Sequence, residues 1–146
     1  MLNNRFDQGR RRPGSSAQAL LWLAVIYGVA SLIHFVHNGL YLHDYPNMPT
    51  WLTALGVYAA WLVVATVGCA GYGLYRWGAR RIGLLVMALY ALLGLDSLGH
   101  YVVAPLAAHS MAMNATILGE VGSAAALLVF TGYLFRAETR GAYIRR

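Results

Sequence analysis

Four long apolar segments constrain the fold of this chain more than any other feature. An α-helix rises about 1.5 Å per residue, so about 20 apolar residues cross the roughly 30 Å of hydrocarbon in a bilayer. Of the 146 residues, 59% are hydrophobic and only 11% are charged, which leaves too little polar surface to coat a soluble domain. We therefore predict an all-α integral membrane protein, a four-helix bundle with transmembrane helices at about 17–42, 51–75, 82–103 and 111–135.

The same pattern predicts the organisation of the whole chain. Residues 1–16 are expected to be a disordered basic tail, residues 17–136 the membrane domain, and residues 137–146 a second basic tail. The first apolar segment follows three arginines, as a signal peptide would, but it is too long and lacks a small-residue cleavage site. It is therefore predicted to be a retained helix. A single cysteine, Cys69, provides neither an internal disulfide nor a thiolate metal site.

Charge is segregated along the chain. All 11 basic side chains are arginines, and they lie in the two tails and in the loop between the second and third helices. The loops at 43–50 and 104–110 contain no Lys or Arg. The positive-inside rule then predicts cytoplasmic termini in the plasma (inner) membrane, with both of these loops on the periplasmic or extracellular side. Because the arginines are dispersed, the net charge of +6 indicates anionic lipid headgroups as partners rather than nucleic acid.

Ionisable side chains occur inside three of the predicted helices. An ionisable group within a bilayer costs about 2.5–3.5 kcal/mol on insertion scales, so it needs a partner, a cavity or a function. His34 and His37 are three residues apart on one face of the first helix, and Asp96 and His100 are four apart on the third. At about 1.5 Å per residue, His34, Asp96 and Glu120 of the fourth helix lie roughly 10–13 Å below the same membrane surface, and His37 and His100 lie about one turn higher.

These five residues, His34, His37, Asp96, His100 and Glu120, are predicted to bind a transition metal. Imidazole and carboxylate ligands suit Zn, Fe, Mn or Cu, and bundles build such sites from facing helices. The Glu-x-x-His spacing of di-metal bundle sites is absent, which favours one ion with an open position for water or substrate. Glu120 is expected to be a ligand or general base, and Asp96 a ligand or the residue that orients His100.

Other polar and sulfur-containing side chains are expected to surround this site. The second shell and the mouth of the site are predicted to include Asn38, His43, Tyr58, His109, Met111, Met113 and Asn114. Aromatic residues at the same helix ends are interpreted as interfacial anchors, including Tyr41, Tyr45, Trp51 and Tyr101.

Several alternatives remain open at this point. A b-type haem could be held by one histidine from the first helix and one from the third, although this leaves both carboxylates without a role. His43, Met48, His109, Met111 and Met113 could collect copper for a carrier or accessory protein. Glu120 and Asp96 could instead relay protons through His34. Each polar residue could also simply be hydrogen-bonded within the packed bundle.

Two further expectations follow from the sequence. The chain has no nucleophile elbow, phosphate-binding glycine loop or Cys motif, so nucleotide chemistry is not expected. Four short helices are few for a complete transporter, so a transport role would require a homo-oligomer or a membrane partner protein. The sequence does not establish whether the protein is an enzyme.

Overall fold

A computed structural model describes residues 13–144, and within this range the chain forms helices and turns with no β-strand. The helices are α1 (Pro13–Leu40), α2 (Ala54–Arg76), α3 (Arg80–Leu95), α4 (Gly99–Val103) and α5 (Met111–Ile144). A 3₁₀ turn at Asp96–Leu98 joins α3 to α4, and another covers Leu106–Ala108. Four of the helical stretches are long and apolar enough to cross a membrane: Ser15–Leu40, Ala54–Arg76, Arg80–Val103 and Met111–Gly141.

The prediction of four long apolar helices is confirmed, with shifted helix ends. The first helix begins at Pro13 rather than at about residue 17, and α5 continues to Ile144 rather than ending at about 135. In α2 the start moves to Ala54, because the Thr53 hydroxyl accepts a hydrogen bond from the Gly56 amide and so caps the helix. Residues 1–12 of the tail predicted at 1–16 lie outside the described residues, and residues 13–16 belong to α1.

The four long helices pack in a ring, so that α1 and α3 each contact α2 and α5. Close approach in the α2–α3 hairpin depends on Gly83, where an added Cβ would lie 2.3 Å from the Tyr75 backbone nitrogen. Large apolar side chains cover the outside of the ring, including Trp22, Leu62, Leu85 and Val129. A bundle with such a surface matches the apolar interior of a bilayer.

The bundle has two chemically different ends. The arginine end is where α1 begins, α2 gives way to α3, and α5 terminates; Arg80 of α3 there contacts Glu138 of α5. The histidine end holds the opposite loops, and there His34 of α1 meets Thr116 of α5. Between these ends lies an apolar core around Leu20, Tyr27, Leu84, Met87 and Leu127.

Candidate functional site: a buried histidine–carboxylate pair

His34 and Glu120 face each other inside the bundle at the histidine end. His34 is 2% exposed and Glu120 1% exposed, and the His34 Nε2 atom lies 3.8 Å from Glu120 Oε2. This separation is too long for a hydrogen bond. The two residues belong to α1 and α5, which are neighbours in the bundle. Their contact therefore joins two separate helices at one level.

Hydrogen bonding fixes the tautomer of the neutral His34 ring. The Thr116 hydroxyl has one proton, which it donates to the Met113 carbonyl at 3.0 Å. It must therefore accept from His34 Nδ1–H, which lies 3.3 Å away. In the neutral imidazole only one nitrogen carries hydrogen, so the Nε2 lone pair points toward Glu120. Two electron-rich atoms thus face each other in a buried space.

Ser97 holds the same oxygen of Glu120 that faces His34, since its hydroxyl donates to Oε2 in a short hydrogen bond. The Oε1 atom is buried and makes no well-formed hydrogen bond within the described residues; the buried Ser31 hydroxyl of α1 interacts with the Glu120 carboxyl from the same side of the bundle. An unpartnered buried carboxylate oxygen is costly unless water, a proton or a cation pairs with it.

His100 and His37 belong to the same polar region as the His34–Glu120 pair, but they make different contacts. The His100 ring lies 5.3 Å from the His34 ring, centroid to centroid, and its Nε2 is 3.3 Å from Asn38 Nδ2. His37 lies farther along α1, and its Nδ1 is 2.9 Å from the Tyr45 hydroxyl. Four of the five predicted ligands therefore belong to one polar cluster.

Asp96 is not brought into this cluster. Its side chain is exposed and makes no hydrogen bond or ion pair in the part of the chain that is described. The physical reason is the 3₁₀ turn at Asp96–Leu98, which turns about 120° per residue instead of about 100° in an α-helix. Over three residues this adds about 60° relative to an α-helix, which changes the register between Asp96 and His100, although Asp96 still interacts electrostatically with His100 and Glu120.

Tyr45 is the central residue that sequence reasoning missed. It is 3% exposed, although the sequence indicates an interfacial anchor. Its ring lies 5.0–6.4 Å from four imidazole rings, those of His34, His37, His100 and His109. Burial raises the pKa of the Tyr45 phenol above its usual range, so the hydroxyl keeps its proton and can donate to His37. The one feature of the sequence that could have indicated this burial is that Tyr45 directly follows the polar segment His37–Asp44.

The predicted surrounding residues divide into buried and exposed groups. His109 and Met113 are buried, whereas His43 is exposed and Met111 is 89% exposed. Asn114 holds the 104–110 loop, since its amide donates to the carbonyls of Leu106 and His109. Tyr58 packs against the backbone of α1 at Gly39, away from the histidines.

A cleft opens beside the cluster at the histidine end. Its volume is about 460 Å³, and its lining includes His37, Tyr41, Asp44, Ser110 and Met113. His37 therefore contacts the cleft on one side and Tyr45 on the other. The cleft thus brings solvent to His37 and Met113, at the edge of the polar cluster.

The donors do not form a ready-made multi-ligand cage. Across residues 13–144, no three His, Cys, Asp or Glu side chains are arranged to hold one metal ion. Comparisons of the chain with protein-family models, with curated proteins and with solved structures gave no match. The function of the site must therefore be inferred from its own geometry.

Proposed function

We propose that this chain is an integral membrane protein that binds one divalent transition-metal ion between His34 and Glu120. The observation that carries the proposal is that His34 Nε2 and Glu120 Oε2 face each other at 3.8 Å in a buried space, while Thr116 bonds the other ring nitrogen of His34. Metal–nitrogen and metal–oxygen bonds of about 2.0–2.2 Å sum to slightly more than this distance. One ion in a bent arrangement could therefore bond both atoms without separating the helices.

Support for a ligand role also comes from the groups behind the two donors. Metal-binding histidines usually donate their second N–H to an oxygen, which fixes the ring; Thr116 provides that oxygen for His34. Ser97 similarly holds Glu120. His100 is the nearest further imidazole. An ion with two or three protein ligands would keep open positions for water or a substrate.

A proton relay is the second candidate, and a specific observation favours it. Because no third His, Cys, Asp or Glu side chain within residues 13–144 converges with the pair, a proton shared by His34 and Glu120 is the alternative occupant of the same space. Tyr45, His37 and the cleft would then connect the pair to solvent. This version requires no metal.

The geometry gives less support to haem. A porphyrin with two histidine ligands must fit between their rings. The rings of His34 and His100 are 5.3 Å apart and nearly perpendicular, and Tyr45 packs against both. Haem binding would therefore require this end of the bundle to open.

The orientation of the site belongs to the same proposal. The positive-inside rule places the arginine end in the cytoplasm of a cell with an inner membrane, among anionic headgroups, and the histidine end outside. Cysteine labels at Asn47 and Ala108, introduced after Cys69→Ser, should react with an impermeant reagent in intact cells. Reaction only after lysis would reverse the compartment that the site serves.

Metal analysis of the purified protein, together with its optical spectrum, tests the proposal. We expect a stoichiometric non-haem metal, and His34→Gln should weaken binding at least about 10-fold. The matched control is His43→Gln, because His43 is exposed outside the cluster. A Soret band would indicate haem instead. Absence of any metal, with proton uptake that depends on Glu120, would support the relay.

A further inference from the structure

His109 presents a second buried lone pair, separate from the His34–Glu120 pair. The side chain is 6% exposed, and its Nδ1 lies 3.1 Å from the Pro105 carbonyl oxygen. A carbonyl can only accept, so Nδ1 carries the hydrogen of the neutral ring and donates it. Nε2 is then an acceptor, and it is buried without a partner among the described residues. A buried acceptor left unpaired destabilises the fold, so a ligand at this atom would remove that penalty.

Two methionines pack against the tyrosines that His109 contacts, and the sulfur of one of them, Met113, accepts a hydrogen bond from the Ser110 amide at 3.4 Å. The His109 ring lies 6.4 Å from the Tyr45 ring and 5.4 Å from the Tyr101 ring. These two tyrosines belong to a cluster that also contains buried Met113 and partly buried Met48. An imidazole nitrogen with thioether sulfurs is a donor set that selects soft ions such as Cu(I) over Mg²⁺ or Ca²⁺.

The surrounding contacts hold His109 in place before any ligand arrives. Asn114 accepts a hydrogen bond from the Tyr101 hydroxyl at 2.8 Å and donates to the His109 carbonyl at 3.2 Å. The Pro105 carbonyl fixes the orientation of the ring. A donor held in this way loses little conformational freedom on binding, which favours affinity.

We propose that His109, Met113 and Met48 form a second metal site, which binds a soft monovalent ion of the Cu(I) class at the histidine end. Its donors and its ion both differ from those proposed for His34 and Glu120. The site therefore stands whether or not that pair binds a metal.

Silver(I), a redox-stable substitute for Cu(I), tests this site in the purified full-length protein. His109→Gln and Met113→Leu should each weaken Ag(I) binding at least about 10-fold, the lower range for loss of a metal-supporting side chain. Matched controls come from the same chemistry at exposed positions, His43→Gln and Met111→Leu. These should stay within about twofold of the unmodified protein, because exposed side chains contribute little.

A cross-comparison with Co(II) separates the two sites. Glu120→Gln should weaken Co(II) binding and leave Ag(I) binding unchanged, whereas Met113→Leu should do the reverse. Leucine conserves the volume of Met113, so the core should tolerate this change. If Co(II) does not bind at all but Ag(I) binding depends on His109 and Met113, the soft-ion site holds and the divalent site fails. Equal losses in Met111→Leu and Met113→Leu, or no loss in either, would overturn the soft-ion site.

Discussion

The bundle has one acid–base pair at each end, and the two pairs differ in distance and in exposure to solvent. At the arginine end, Arg80 Nη1 lies 3.0 Å from Glu138 Oε1, with side chains 51% and 31% exposed. At the histidine end, His34 and Glu120 are 3.8 Å apart, with side chains 3% and 1% exposed. An exposed pair contributes only about 0–1 kcal/mol and needs no further explanation. A buried pair costs several kcal/mol in desolvation per ion, so its retention indicates an occupant or a function.

The buried pair is also held by more side-chain contacts than the exposed pair. Thr116 and Ser97 each hold one member of the buried pair, and the ring of Tyr45 lies beside four histidines. Near the exposed pair, Arg81 reaches only the Glu138 backbone carbonyl, at 3.5 Å. The histidine end is thus a connected network of buried side chains, whereas at the arginine end the half-exposed Arg80 contacts Glu138 and lies over the ring of Tyr75.

Removal of Tyr45 should have the largest effect on stability. Tyr45→Ala should destabilise the protein by about 3 kcal/mol, because it empties a buried aromatic site. Tyr133→Ala at the arginine end, where the ring is 52% exposed, should cost less than about 1 kcal/mol. Thermal unfolding in detergent measures both. Equal losses would mean that the two ends do not differ as described.

Deleting only the Tyr45 hydroxyl should have a smaller effect. Tyr45→Phe keeps the ring but removes the hydrogen bond to His37, at a cost of about 1 kcal/mol.

Tyr45→Ala should also speed modification of His34 and His100 by a histidine reagent, because it unpacks the cluster. Mass spectrometry follows this reaction, and rates equal to those of Tyr45→Phe would show that the ring shields neither histidine.

Substitution of Asp96 tests whether the 3₁₀ turn persists when metal binds. Because Asp96 is exposed outside the cluster, Asp96→Asn should leave the metal affinity within about twofold. A 10-fold loss of metal affinity would instead support the role as a metal ligand that the sequence predicts for Asp96. It would require the Asp96–Leu98 turn to rewind and bring the carboxylate toward His100.

The smallest effect is expected from the exposed pair itself. Arg80→Gln should change the free energy of unfolding by less than about 1 kcal/mol, and high salt should remove most of that difference. Unfolding curves at low and high salt provide the measurement. A loss comparable with that of Tyr45→Ala would contradict the contrast between the two ends.

Much of the fold could be predicted from sequence, because a helix that crosses a bilayer must be long and apolar. The low fraction of charged residues also excludes a soluble domain. Helix geometry alone predicted one depth for His34, Asp96 and Glu120, with His100 about a turn nearer the surface, and the structure brings His34 and Glu120 together. Asp96 could not be placed, because hydropathy does not reveal a three-residue 3₁₀ turn within an apolar helix. Tyr45 was assigned to the interface, because a tyrosine beside a helix end gives no sign that its loop folds back into the bundle.

Matched glutamate substitutions test the central claim, that the His34–Glu120 pair holds a metal ion. Glu120→Gln and Glu138→Gln make the same chemical change at the two ends of the bundle, and Co(II) titration of each purified variant compares them directly. We expect Glu120→Gln to weaken Co(II) binding by at least about 100-fold and Glu138→Gln to change it by no more than about twofold. Equal affinity in both variants and in the unmodified protein would contradict the metal site.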